Sequence, residues 1–261
     1  MIDLRFGDFY NCFNDLKLVS IDLILTDPPY NISGFERLKE TMWDRELDLT
    51  KLEEIFASLL KPRGQVILFC DIHLFVRIYN AFQKHLEFRF HHIWEKGCGM
   101  PINLYRPISE TEMIAVFKHK KDKVSELTFN PQSMGENGIP YIKRNRIKDI
   151  PTRKSRKADY SQNLNGTRFP RTILKAPSKP NMNKPERTNH PTQKPIHLLK
   201  KLILGYSNEG DMILDPFSGS GSTHLAAYET GRNAIGYEIK KSYHLEAIKR
   251  IERHTAQITL F

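Results

Sequence analysis

Cysteine is scarce in this chain. Cys12, Cys70 and Cys98 are the three among 261 residues, and their spacing fits neither a disulfide framework nor the paired C-x-x-C of a zinc site. The expectation is a reducing, cytoplasmic setting and no metal centre. Long apolar runs are missing too, with none approaching the roughly 18 residues of a membrane span. The opening MIDLRFGD has an acid at position 3 and no apolar stretch behind it, so it reads as a strand rather than a secretion signal. No internal repeat or heptad is visible, which sets aside solenoids and coiled coils. What is present, 39% hydrophobic residues in a chain of this length, can bury one large core or two small ones.

Charge is plentiful and unevenly placed. Lys and Arg number 40 against 30 Asp and Glu, a formal net charge of +10. Residues 118–187 hold 18 Lys/Arg and 6 Asp/Glu, so this window carries +12 and the rest of the chain sums to −2. A near-neutral body with one basic segment points to a polyanionic partner, nucleic acid before membrane. A solvated lysine-rich loop has the same composition. The stretch also contains Pro131, Pro140, Pro151, Pro170, Pro177, Pro180 and Pro185. It therefore reads as an inserted, loop-rich arm, part of which orders on binding.

Outside the arm, β-favouring apolar runs recur at 21–26, 66–70, 113–117, 212–214 and 234–237. Helical patterns alternate with them. The clearest covers 51–60, with Leu52, Ile55, Phe56, Leu59 and Leu60 on one face, Thr50 and Glu53 as a capping box, and Pro62 with Gly64 as its end. A second helix starts near Pro195 and turns Leu198, Leu199, Leu202 and Ile203 inward; a third follows Ser222 and a fourth spans about 243–254. This alternation predicts an α/β sheet covered on both faces.

Three motifs carry chemistry. Asp27-Pro28-Pro29-Tyr30 follows a strand. Two prolines fix the exit path and donate no backbone hydrogen bond, so the Asp27 carboxylate and the Pro28 carbonyl could both accept from an exocyclic amino group while Tyr30 offers a stacking face. A stiff strand exit with a packed tyrosine is the structural alternative. Asp215-Pro216-Phe217-Ser218-Gly219-Ser220-Gly221-Ser222-Thr223 also follows a strand and opens a helix. It lacks the third glycine of a dinucleotide fingerprint, since His224 stands there, and the lysine of a phosphate-gripping loop. With Glu238 one strand later, placed to take both hydroxyls of a ribose, an adenosine cofactor without a pyrophosphate fits best. The third motif is His190-Pro191-Thr192-Gln193-Lys194-Pro195, in which Lys194 could supply a cation for a carboxylate or simply face solvent at a helix start.

In this order, DPPY, DPFSGSGST and HPTQKP resemble the β-class amino-methyltransferases of DNA, the N6-adenine and N4-cytosine modification enzymes. The resemblance covers nearly the whole chain, including Gly7-Asp8 and Trp94-Glu95-Lys96, and is weakest between about 118 and 173. It implies a Rossmann-like methyltransferase fold, a mostly parallel seven-stranded sheet with one antiparallel strand, the last, in circularly permuted order. The 261 residues then form a single domain: 1–117 the catalytic half, 118–189 the basic target-recognition insertion, 190–261 the cofactor-binding half. The implied cofactor is S-adenosyl-L-methionine. Asp27, Pro28, Pro29 and Tyr30 become the catalytic group. Asp215, Phe217, Gly219, Ser220, Gly221, Ser222 and Thr223 wall the cofactor, Glu238 clamps its ribose, and Asp8 lies near its adenine amino group. Thr192 and Lys194 meet its methionine end, and Asp27 serves both ligands. The stretch 31–49, including Trp43 and Asp44, is long enough for a flap over the base.

The implied reaction is direct displacement on a base flipped out of double-stranded DNA. Ring-carbon methylation would want a cysteine after proline, and none of the three cysteines follows one. Asp at the head of the tetrapeptide resembles the N6-adenine enzymes; N4-cytosine methylation and a non-catalytic DNA-binding protein of the same fold are the alternatives. The family context implies a bacterial or phage-encoded protein of a restriction-modification system, cytoplasmic and nucleoid-associated, acting as a homodimer. The last residues resemble the peptide by which bacterial proteins dock on the replication sliding clamp, through Gln257, Leu260 and Phe261. Covering the chain's own sheet edge is the other reading of Leu260 and Phe261.

Overall fold

A computed structural model describes residues 1–31, 46–97, 105, 107–135, 140–144, 160–163, 166 and 168–258. Its strands are β1 (Ile2–Phe6), β2 (Ile21–Thr26), β3 (Leu60–Cys70), β4 (Leu86–Glu95), β5 (Thr111–His119), β6 (Tyr141–Arg144), β7 (Tyr160–Asn163), β8 (Ile173–Lys175), β9 (Met212–Asp215) and β10 (Asn233–Glu238). The helices are α1 (Phe9–Cys12), α2 (Leu49–Leu59), α3 (Ile72–Ala81), α4 (Pro131–Met134), α5 (Ile196–Tyr206), α6 (Ser222–Glu229) and α7 (Lys241–Ile258). Eight strands form one sheet in the order β1-β10-β9-β2-β3-β5-β4-β8, where seven were expected. The added member is β8, three residues of the arm that pair in parallel with β4. β5 is the one antiparallel strand, running against β3 on one side and β4 on the other. β6 and β7 make a separate two-stranded ribbon within the arm.

The central strands are apolar at successive positions because both faces are covered. Along β2, Ile24 turns into one core with Phe56, Leu68 and Leu214, while Leu23 and Leu25 enter the other with Ile67, Leu202 and Ile213. Helix α2 seals the first layer through Leu52, Ile55, Phe56 and Leu59, and α5 the second through Leu198, Leu199, Leu202 and Ile203. Each such side chain, fully buried, stabilises the fold by roughly 1.5–3 kcal/mol.

Two local expectations are corrected. The N-cap of α2 is Asp48, whose carboxylate accepts from Lys51 N, so Thr50 lies inside the helix. Glu53 is fully buried and its Oε1 accepts from His85 N at 2.5 Å and Leu86 N at 2.8 Å, tying α2 to the start of β4. Pro62 and Gly64 do not follow the helix as its end. The chain passes directly into β3 at Leu60, and the pairing with β2 jumps from Ile21↔Leu60 to Leu23↔Gln65, leaving the prolyl and glycyl residues in a bulge within the strand. The fourth helix runs longer than expected at both ends. Among the described residues no helix is long and apolar enough to cross a membrane.

Candidate active site

Strand β2 ends beside β9, at the middle of the sheet, and the two prolines carry the chain out over its carboxyl edge. Asp27 Oδ2 accepts from Lys194 Nζ at 2.5 Å. Lys194 stands just ahead of α5, and its ammonium also meets Glu112 Oε1 at 3.1 Å. The Tyr30 hydroxyl donates to that same Glu112 oxygen at 2.7 Å, and Lys96 Nζ lies 3.0 Å from Oε2. Two carboxylates and two ammonium groups thus alternate in one chain of contacts. The rings of Phe69, Tyr30 and Trp94 surround the Lys194 charge, with centroids 5.1, 5.8 and 5.9 Å away.

Electrostatics separates the two carboxylates. Burial works against the Glu112 charge, but Lys194 and Lys96 outweigh it and hold this acid below its ordinary value. Burial also pushes Asp27 up; Lys194 pulls it down, Glu112 pushes it up again, and it rests at about 6. The second oxygen, Asp27 Oδ1, is buried and accepts no hydrogen bond from the described residues. Burial opposes the Lys194 charge as well, yet Asp27 and Glu112 together hold its pKa above the usual lysine value.

The glycine turn after β9 is built from backbone. Asp215 Oδ1 accepts from Thr26 Oγ1 at 2.6 Å and from Phe217 N at 3.2 Å, joining β9 to the end of β2. Gly219 has φ +48°, and a Cβ there would lie 2.8 Å from His190 Nε2. Gly219 N donates to Glu238 Oε2 at 2.8 Å and Lys240 N to Oε1 at 2.7 Å, so the turn and the end of β10 hold each other. Gly221, at φ +72°, is the N-cap of α6 and packs against Ala247. Behind the turn, the guanidinium of Arg250 donates to Ser222 Oγ at 2.9 Å and Ser220 O at 3.0 Å.

These two pieces, one from each half of the chain, face a common cavity of about 390 Å³. Of the residues singled out from sequence, Asp8, Asp27, Pro28, Pro29, Tyr30, Thr192, Lys194, Asp215, Phe217, Gly219, Ser220, Ser222, Thr223 and Glu238 line it. Gly221 is not among its walls, because it lies under the turn as the cap of α6. Asp8 caps α1 through Tyr10 N at 3.1 Å. The Lys194 ammonium already meets two carboxylates of the protein, which leaves one of its three N–H donors for a further partner.

Glu112, Lys96 and His190 line the cavity as well and had no assigned role. The one signal for Glu112 was an acid at the head of an apolar run. Burial, with Lys194, Lys179 and Lys240 nearby, lowers His190 to about 3 and keeps it neutral. Trp43 and Asp44 lie outside the described residues, as do Leu260 and Phe261; Gln257 falls in the last turn of α7.

A mostly parallel sheet, a proline-guided acidic exit and a glycine turn meeting at one cavity define a class, and comparison identifies it. Residues 21–249 match the DNA methylase family, and the chain belongs to that family. It is 30% identical over 255 residues to Type II methyltransferase M.HpaI of Haemophilus parainfluenzae, covering 92% of this chain and 73% of that protein. It is 29% identical over 256 residues to DNA adenine methyltransferase YhdJ of Escherichia coli (strain K12), covering 94% and 81%. Among solved structures, the M1.HpyAVI–SAM complex superposes with a TM-score of 0.62 at 28% identity, over 96% of this chain and 100% of that one.

Proposed function

We propose that this protein methylates the N6 amino group of adenine in double-stranded DNA, using S-adenosyl-L-methionine. The observation that carries the proposal is the shared cavity: an amino-group trap (Asp27, Pro28, Tyr30) and a glycine turn with an acidic strand end (Gly219, Glu238) open into one space. The family membership and the name of the adenine-modifying YhdJ support the same reading.

The residues present fit the cofactor. A side chain at Gly219 would strike His190, so the backbone is left bare towards the cavity, and Glu238 keeps further lone pairs beyond the two amides it accepts. Phe217, Gly219, Ser220, Ser222 and Thr223, with Asp215 beneath them, would wall it, Glu238 would take the ribose, and Asp8 the adenine amino group. Thr192 and the remaining N–H of Lys194 would meet the methionine end. When bound, S-adenosylmethionine supplies an electrophilic methyl on sulfonium.

The protein's own part is aiming. Tyr30 stacks on the flipped base, and Asp27 Oδ1 and the Pro28 carbonyl accept from its amino group. Those hydrogen bonds raise the availability of a lone pair otherwise tied up in the ring, and they strengthen as positive charge develops on nitrogen. Asp27 Oδ1 then takes the proton that this nitrogen sheds. No covalent enzyme intermediate is needed. The arm, rich in Lys and Arg, supplies affinity for phosphates.

The test is incubation of the purified chain with duplex DNA and methyl-labelled cofactor, followed by nucleoside mass spectrometry. N6-methyladenine is the expected product. N4-methylcytosine would move the target to the other base, and DNA binding without label transfer would leave a non-catalytic reader of DNA. A tail docked on a sliding clamp is tested by deleting residues 257–261, with lower clamp affinity as the expected result.

A further inference from the structure

Glu112 is the second residue of the antiparallel strand β5, and it is the part of the site that no motif contains. Its side chain is 12% exposed, turned into the cavity wall with three groups gathered around it. One oxygen serves two masters: Oε1 accepts from the Tyr30 hydroxyl and from Lys194 Nζ, while Oε2 is taken by Lys96. Tyr30 is the stacking face and Lys194 is the cation on Asp27. A buried ion-pair network of this kind adds little stability over apolar packing, and what it does supply is direction. Two bonds from one atom fix the angle of the tyrosine ring and the place of the lysine relative to each other.

Resting on the methyl-transfer reading above, we propose that Glu112 is a positioning residue for that reaction, holding Tyr30 and Lys194 in register so that platform and acceptor meet the target amine together. Its role in the proposal is exerted through Tyr30 and Lys194. Its negative charge also faces Asp27, alongside Lys194 from the head of α5, Tyr30 from the strand exit and the Cys70 thiol at the end of β3, with Lys96 behind it. Removing that charge therefore makes Asp27 easier to ionise.

The experiment uses the full chain with Glu112→Gln, which keeps size and one acceptor oxygen but loses the charge. Label transfer to DNA is measured against pH, with cofactor affinity by calorimetry as the check on folding. The expected result is a fall of about tenfold in kcat, cofactor affinity within about twofold, and an acidic limb of the rate profile moved to lower pH. An unchanged kcat overturns the proposal. So does a reduced kcat with an unmoved limb, because a packing defect would do that much. Should this variant not fold, Lys96→Gln is read instead: it removes the cation behind Glu112 and is expected to move the limb to higher pH, and a limb that stays in place refutes the role. A wild-type chain that transfers no methyl at all marks the failure of the activity reading, and it is seen before any variant is made.

Discussion

The two walls of the cavity are made by opposite means. On the β2 side, carboxylates and ammonium groups from four separate elements hold one another through side chains: Asp27, Lys96, Glu112 and Lys194. On the β9 side, the partners are mainly backbone amides, hydroxyls and positive-φ glycines. The first wall depends on ion pairs between side chains and so answers to pH. The second adds to its carboxylates, Asp215 and Glu238, a dependence on backbone conformation, and answers to the presence of a Cβ.

Four measurements would break or sharpen that contrast. Asp27→Ala strikes the charged wall at its centre and is expected to lower methyl transfer by at least about a hundredfold, with DNA affinity little changed. Turnover near the parent's rate would empty the assignment. Gly219→Ala strikes the other wall by setting a Cβ 2.8 Å from His190 Nε2 at φ +48°. Cofactor affinity should weaken about tenfold by calorimetry, while kcat at saturating cofactor stays close to the parent's. If kcat falls equally, the walls are not separable.

The pH dependence comes next. Asp27 has a pKa raised to about 6, so its carboxylate, the acceptor in the proposed mechanism, is lost as pH falls through that value. The sign is loss on the acid side, about fourfold at pH 5.5 relative to the plateau. A profile flat from pH 5 to 8 would show that Asp27 does not titrate in the working complex. The smallest effect lies away from both walls. Asp48→Ala removes the cap of α2 and should cost about 1 kcal/mol in urea unfolding, Thr50→Ala less than about 0.5, and neither should alter methyl transfer.

That last pair shows where sequence reading stops. The pattern of Leu52, Ile55, Phe56 and Leu59 was enough for the helix, but Thr50 and Asp48 both have the chemistry of a cap, and only the entry angle of the chain chooses between them. The runs in β2, β3, β5, β9 and β10 were legible because burial on both faces leaves little room for polar residues. LEFRFHHIWE in β4 showed only its end, Trp94-Glu95, through the family resemblance, since its polar residues find partners from elsewhere: His92 with Tyr206 at 2.6 Å, Arg89 with Gln65 at 2.8 Å. β8 has three residues and exists by pairing with β4. The site divides the same way. Proline and glycine act on their own backbone, so the DPPY exit and the glycine turn could be read locally. Glu112 is 82 positions from the tyrosine it holds, and no local pattern marks such a bond.

The strand order has one more consequence. β10 and β9, among the last elements of the described chain, fill the slot between β1 and β2, among the first. In a nascent chain emerging from the ribosome, the edge strand β1 therefore has no neighbour linking it to β2 until β9 and β10 have been made. Pairings this distant in sequence form late and slowly. Synthesis halted before β9 would yield a fragment without the glycine turn and Glu238, so one wall of the cavity would be absent.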